Sequence, residues 1–413
     1  MKKVKKQSLR LTERIPLMRL ACFALFVCMV VLYSCDKPKD DSTKTDPTGP
    51  GSAANPFKVA SAADLKRVGS GEKGPEGVAW ADNKCYLQTD DIDLSDETNW
   101  KSISETKGSN NFSGTYDGDG HTISNLTVVA VGDYDNIGLF GAVYGTIKNV
   151  RLDGVNLSAG SADFPCAGGI AGRLMNNGKI DHCSVNDITI DCNGAGEGAV
   201  AGQVIKGTVT NCIATNGVIN GGMYCGGVTG INTGTIENCY STIDVNGNWA
   251  VGGIAGGNHS GNGGTIQYCY VTGNVSVTSE SMQMIGGING SNGGTIQNCV
   301  ALNKEVHKSE SGNSGMGRII GFVFSEESKK NNYARPDIKL TAGSSNITIT
   351  DATTTNKNGA DVLPANYNGA NSGTWWSSVA KFPASSWDFA AGRLPHLKGF
   401  DGLTQNPTVT PSN

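Results

Sequence analysis

The residues best suited to chemistry are five histidines, twelve cysteines and a scatter of carboxylates. Zinc-dependent hydrolysis needs two histidines one helical turn apart with a glutamate beside the first. None of His121, His182, His259, His307 and His396 stands in an HExxH motif. There is no GxSxG elbow, no phosphate-cradling Walker loop, and no CxxC pair or Cys/His cluster with zinc spacing. Asp117 to Gly120 reads DGDG, the opening of a calcium loop, but Val128 stands where the closing glutamate belongs, so a tight turn is expected instead. Glycosidase chemistry needs paired carboxylates at a set separation. The acids of the central region, among them Asp153, Asp181, Glu197, Glu237 and Asp244, recur in no fixed column. The expectation is a non-catalytic chain that needs no cofactor and no metal. A carbohydrate-active β-helix enzyme, lyase or glycosidase, is the alternative, and a groove holding two acids beside a basic residue would support it.

What does recur is a phrase. It appears as GTIKNV, GKIDHC, GTVTNC, GTIENC, GTIQYC and GTIQNC, ending at Val150, Cys183, Cys212, Cys239, Cys269 and Cys299, at intervals of 33, 29, 27, 30 and 30 residues. A degraded copy places Tyr333 34 residues further on. Upstream of each copy lies a glycine-rich partner such as AGGIAG, GEGAVAG or GGIAG. Repeats of this length signify stacked supersecondary units. The segments between glycines are short, β-branched and alternating, which indicates strands. One turn of constant length per copy predicts an all-β chain folded as a right-handed parallel β-helix, each strand pairing with its counterpart one coil later.

The cysteines fit that coil. Ile236 and Cys239 are three apart and would face opposite ways in an unbroken strand, yet both belong inside. Asparagine tolerates the left-handed conformation, so Asn149, Asn211, Asn238 and Asn298 can each make a bend that returns the next side chain to the interior. His182 and Tyr268 stand at two of these positions and leave those bends open. The column Cys183, Cys212, Cys239, Cys269 and Cys299 reads as small interior residues. Cys166, Cys192 and Cys225 lie outside it and could pair with one another.

The residue after each cysteine should face outward: Ser184, Ile213, Tyr240, Tyr270, Val300. Tyr240 and Tyr270, one coil apart, make a candidate ridge on which sugar rings or a partner's apolar side chains could stack. The same column would equally suit cover by a loop or by the C-terminal segment.

At the N-terminus seven basic residues precede the apolar run LACFALFVCMVVLYS, which is shorter than a membrane-spanning helix requires. It ends in Leu32-Tyr33-Ser34-Cys35. That stretch resembles the lipobox of bacterial lipoproteins, which implies cleavage before Cys35 and acylation of its thiol. Loss of residues 1–34 would take the formal charge from −4 to about −10. An acidic chain with no basic stripe disfavours nucleic acid as a partner. The following DKPKDDSTKTDPTGPGSAANP reads as a solvated tether.

Taken in order, NPFKVASAADLKRV, YLQTDDIDLSDETNWKSI, NFSGTYDGDGHTISNLTV, the GGIAG and GTIENC repeats, and WDFAAGRLPHLKGF resemble the GLUG-motif proteins, bacterial surface proteins many of which are lipoproteins of Bacteroidetes. The resemblance covers about residues 55 to 400 and implies a right-handed β-helix at the outer membrane, lipid-anchored and facing outward. The domain reading follows: signal peptide 1–34, tether 35–54, N-terminal cap and first coils 55–135, repeat β-helix 136–335, C-terminal coils and cap 336–413. Ser61 can cap a short helix, with Asp64 reaching back and Leu65 and Val68 on one face. Trp375, Trp376, Trp387, Leu394, Pro395 and Leu397 read as an aromatic cap at the other end. The functional expectation is a monomeric surface lipoprotein. Its partners would be the membrane, through its anchor, and a glycan or protein ligand. A structural role in surface assembly is a third reading.

Overall fold

The structure is a computed structural model that describes residues 48–104, 111–130, 135–158, 164–259, 264–279, 283–324 and 329–409. The leader, most of the tether and Cys35 lie outside the described residues.

One coil serves for all. Its four strands are Cys166–Gly168, Ala171–Met175, Lys179–Asp181 and Ser184–Asp191. Each pairs in parallel with the same strand of the coils before and after; Ile180, for example, lies between Ile147 and Val209. Repetition builds a parallel β-solenoid of about nine turns, with main sheets of ten, fifteen, seven and seven strands. In-register stacking puts like above like. Ile147, Ile180, Val209, Ile236, Ile266 and Ile296 fill one interior column, and Cys183, Cys212, Cys239, Cys269 and Cys299 fill the next, all fully buried. Each of these thiols faces the carbonyl two residues earlier at 3.1–3.4 Å, which satisfies its weak donor. All nine cysteines of the described residues are free, including Cys166, Cys192 and Cys225, so no disulfide joins those three.

The bends form as the spacing requires. Asn149, Asn211, Asn238 and Asn298 are left-handed, with φ of 51–55°, and so are Asn331 at 57°, His182 at 52° and Tyr268 at 55°. A left-handed conformation costs a β-carbon residue about 1–2 kcal/mol. Contacts offset it at the two exceptions. His182 Nδ1 lies 2.7 Å from Asp181 Oδ1, and the Tyr268 ring meets Phe382 edge-on at 6.3 Å. Two of the asparagines bond to aspartates one coil back: Asn149 to Asp117 at 2.8 Å and Asn211 to Asp181 at 2.9 Å. DGDG is a turn, with positive φ at Asp119 and Gly120 and the Gly118 carbonyl accepting from His121 N–H.

Not every left-handed residue is compensated in this way. Lys206 is exposed at φ 55°, where the preceding coil carries Asn177 at 66°. Lys206→Asn is expected to stabilise the fold by about 0.5–1 kcal/mol, read as a higher denaturant midpoint at unchanged slope.

Both ends of the stack are closed. At the start, Ser61 caps the helix Ala62–Arg67, its Oγ accepting from Asp64 N–H at 3.2 Å and donating to Asp64 Oδ2 at 2.8 Å. Leu65 and Val68 enter the core. Beneath them Phe57 stacks on Trp80, and Tyr86, Phe112 and Phe140 continue an aromatic column into the first coils. At the far end the Lys357 carbonyl accepts from the amides of Ile319 and Ile320, while Ile347 and Ile349 pack on the core.

The aromatic C-terminal segment is present, and its position is the flank. Trp375 meets Tyr333 at 5.1 Å, Trp387 Nε1 donates to Asn238 Oδ1 at 3.1 Å, and Arg151 donates to the Asp401 carbonyl at 2.5 Å. Tyr333, Val300, Tyr270, Tyr240, Ile213, Ser184 and Arg151 are successive register partners. The segment therefore straps the fourth strands of six coil steps, about 29 Å at a strand spacing near 4.8 Å.

Candidate functional site

The strap decides the fate of the tyrosine ridge. Tyr240 and Tyr270 do stack, with centroids 4.9 Å apart and planes within 4°. Their exposure is 1% and 0%. Trp376 and Trp387 cover Tyr270 at 5.5 and 5.6 Å, and its hydroxyl donates to the Pro395 carbonyl at 2.9 Å. Cover by the C-terminal segment is thus the arrangement found. The ridge offers no surface to a ligand, because the chain's own tryptophans occupy it.

An open groove lies elsewhere, at the corner where the fourth strand of one coil passes into the first strand of the next. It encloses about 530 Å³ and crosses four coils. Its floor is Cys192, Gly221 and Gly247. Its walls are mainly amides and hydroxyls: Asn193, Asn220, Asn246, Asn248, Ser276 and Thr278, with Asp191 the one charged group among the described residues. The amides form a ladder. Asn246 Nδ2 donates to Asn220 Oδ1 at 2.9 Å, Ser276 Oγ to Asn246 Oδ1 at 2.5 Å, and Asn248 Nδ2 to Asn193 Oδ1 at 3.4 Å. Beside Asn248, the half-buried Trp249 meets Tyr224 edge-on at 4.9 Å, and Tyr224 meets His259 at 5.5 Å. Burial holds the His259 pKa below its ordinary value.

Behind the groove floor lies a buried carboxyl group. Glu197 occupies the centre of a first strand, in register between Ala167 and Cys225, and is wholly enclosed. Burial raises its pKa to about 8, against the opposing pull of the Cys225 thiol and the Gly222 and Gly194 amides. Cys225 Sγ donates to Glu197 Oε2 at 3.4 Å, and Oε1 makes no hydrogen bond of good geometry. Glycine makes the room. A β-carbon on Gly194 would stand 2.2 Å from Glu197 Oε1, and one on Gly221 would stand 2.4 Å from Cys225 Sγ. Cys192 on the groove floor is 3% exposed, and Glu197 behind it has no exposed surface.

Sequence reasoning counted Glu197 among the scattered acids. Aligning GEGAVAG with AGGIAG would have placed it where the neighbouring coils carry Ala167, Cys225, Val251 and Ile285, all interior. It also missed a second buried ladder, in which Asn232 and Asn258 donate in turn to Asn258 and Asn292 at 2.9 and 2.7 Å. The five histidines remain apart, and the described residues hold no group of three or more His, Cys, Asp or Glu able to bind a metal ion.

The GLUG motif matches residues 165–191 and 247–276. Halomucin of Haloquadratum walsbyi is 34% identical over 140 residues, 31% of this chain but 1% of that protein's length. A solved structure from Bacteroides ovatus, described as a “putative immunoglobulin A1 protease”, covers 84% of this chain and 94% of its own, with a TM-score of 0.55 and 19% identity. At that identity the likeness is one of fold. The chain carries GLUG motifs at residues 165–191 and 247–276 within a parallel β-solenoid.

Proposed function

We propose that this is a non-catalytic, lipid-anchored protein of the outer cell surface, in which a rigid β-helix presents a binding or adhesion surface. The observation that carries the reading is the division of labour in each coil. The repeated residues are all consumed by the scaffold: isoleucine and cysteine by the core, asparagine by the bends, glycine by close backbone approach. The side chains left to face solvent change from coil to coil and surround an open polar groove. A scaffold of this kind fixes surface groups with little entropy left to lose on binding. The anchor rests on the lipobox ending at Cys35. Two or more acyl chains on one cysteine hold a protein to a bilayer where a single chain does not.

The experiment is to express the full chain in a didermic bacterium with Cys35→Ser as the control. Wild type should take up labelled fatty acid, stay with the membrane fraction and be cut by protease added to whole cells. The serine variant should lose the label and leave the membrane. Displaying cells should also adhere to mucin-coated or matrix-coated surfaces. Wild type that is soluble and unlabelled ends the anchor reading, and absence of adhesion to every surface ends the binding one.

A further inference from the structure

We propose that the corner groove binds a neutral oligosaccharide laid along the solenoid axis, an inference that rests on the binding reading above and names its ligand class. The first argument is periodicity. Groups that line the groove repeat with the strand spacing, about 4.8 Å, and four coils contribute, so the lined length is about 14 Å. That repeat is close to the length of one hexose unit, and the groove accommodates about three. The second argument is hydrogen-bonding capacity. Asn220 and Asn193 each accept one bond through Oδ1, and among the described residues their Nδ2 groups donate none. Asn193, Asn220, Asn248 and Thr278 are all exposed. Paired donors and acceptors held in a fixed row suit the vicinal hydroxyls of a sugar, which offer the same alternation.

Charge narrows the class. Among the described residues the lining contains one carboxylate, Asp191, and no lysine, arginine or histidine. A chain of uronic or sulfated sugars would bring like charge against Asp191 with no cation to receive it. Rigidity supplies the affinity. The amide ladder stands on strands whose other faces are fully buried at Ile190, Ile219, Val245 and Val275, so the row is organised before any ligand arrives.

The test uses the full chain in mild detergent on an array of neutral tri- and tetrasaccharides of glucose, mannose, galactose and N-acetylglucosamine, with matched uronic and sulfated chains. At least one neutral series should be retained, trisaccharides better than monosaccharides. Asn220→Ala combined with Asn248→Ala should weaken that binding by about tenfold or more, as expected for the loss of two hydrogen bonds. Both side chains are exposed, and unchanged circular dichroism and melting temperature verify that the pair still folds. Thr278→Trp, which fills one end of the groove, should reduce binding without removing any amide. No retention of a neutral oligosaccharide, preference for the anionic chains, or equal binding by the double variant overturns the proposal. If displaying cells still adhere to a protein-coated surface in that event, the glycan inference fails and the binding reading stands.

Discussion

Trp387→Ala should destabilise the C-terminal strap by about 3–5 kcal/mol, the usual cost of emptying a buried tryptophan site. Trp387 is 1% exposed, lies 5.1 Å from Phe382 and 5.6 Å from Tyr270, and donates its indole N–H to Asn238. The change therefore removes ring contacts on two sides and leaves a buried carbonyl oxygen unpaired. The apolar cluster it belongs to is separate from the solenoid core. It joins Ile213, Tyr240, Tyr270 and Val300 on the coils to Trp375, Trp376, Phe382, Leu394 and Leu397 on the strap. A unit with its own core opens as a unit. The solenoid, held by its interior columns and stacked backbone hydrogen bonds, should keep its far-ultraviolet circular dichroism while the strap lifts. The readouts are a red shift of tryptophan emission and rapid proteolysis within residues 362–409, both at temperatures where the coils are intact. Coincident loss of strap and solenoid in a single transition would show that the two cores are one cooperative system. Unchanged emission and protease resistance would show that the indole contributes little.

A freed strap would uncover Tyr240 and Tyr270, stacked and aligned, as an apolar stripe about two coils long. The variant is expected to self-associate more readily than the wild type, since contiguous exposed aromatic surface promotes association. That outcome also explains why the chain covers the column: the Ile, Tyr, Tyr, Val series is incompatible with a solvent-facing flank.

The architecture was legible because a solenoid writes its fold into the sequence as a period. The spacing of GTIENC and its copies fixes the coil length, and the Ile and Cys positions fix which side is inside. Asn238 at a three-residue offset between them requires the left-handed bend that the structure contains. The rule extends to His182 and Tyr268 because neighbouring coils dictate their backbone; register outweighs residue preference there. The flank was harder. That Tyr240 and Tyr270 face away from the core follows from alternation, but what covers them depends on where 46 later residues, 364–409, fold back. No period governs that segment. The groove was invisible for a similar reason. Asn193, Asn220 and Asn248 sit in corners of varying length, and only stacking in space brings them into one wall. Glu197 was visible in principle, as a charged residue in an interior column, and needed only the glycine-rich phrases to be aligned.

That carboxyl group makes stability depend on pH in a predictable direction. Folded Glu197 titrates near 8, whereas a glutamate in an unfolded chain titrates near 4.3. Between those values the folded chain holds a proton that the unfolded chain has released. Stability is therefore full below about pH 4.3 and falls as pH rises through the window to about 8, by up to about 1.4 kcal/mol per unit and on the order of 5 kcal/mol in all. Glu197→Gln should abolish this slope. The amide oxygen can take the bond from Cys225, and its NH2 falls where Oε1 makes no well-formed bond, so the variant's advantage over the wild type should be small at pH 5 and largest at pH 8. His259 and His396, lowered by burial, act the opposite way below their ordinary range, where the unfolded chain binds the extra proton. Subtracting one protein's curve from the other's cancels them. Limiting the titration to pH 8 keeps the thiols of Cys183, Cys212, Cys225, Cys239 and Cys269, each shifted upward by burial, from contributing in the folded state. Denaturant unfolding of both proteins at half-unit steps from pH 5 to 8 gives the comparison. Parallel curves, or a wild type whose stability is flat across the window, would place the Glu197 proton elsewhere and show that the pocket behind Gly221 admits water.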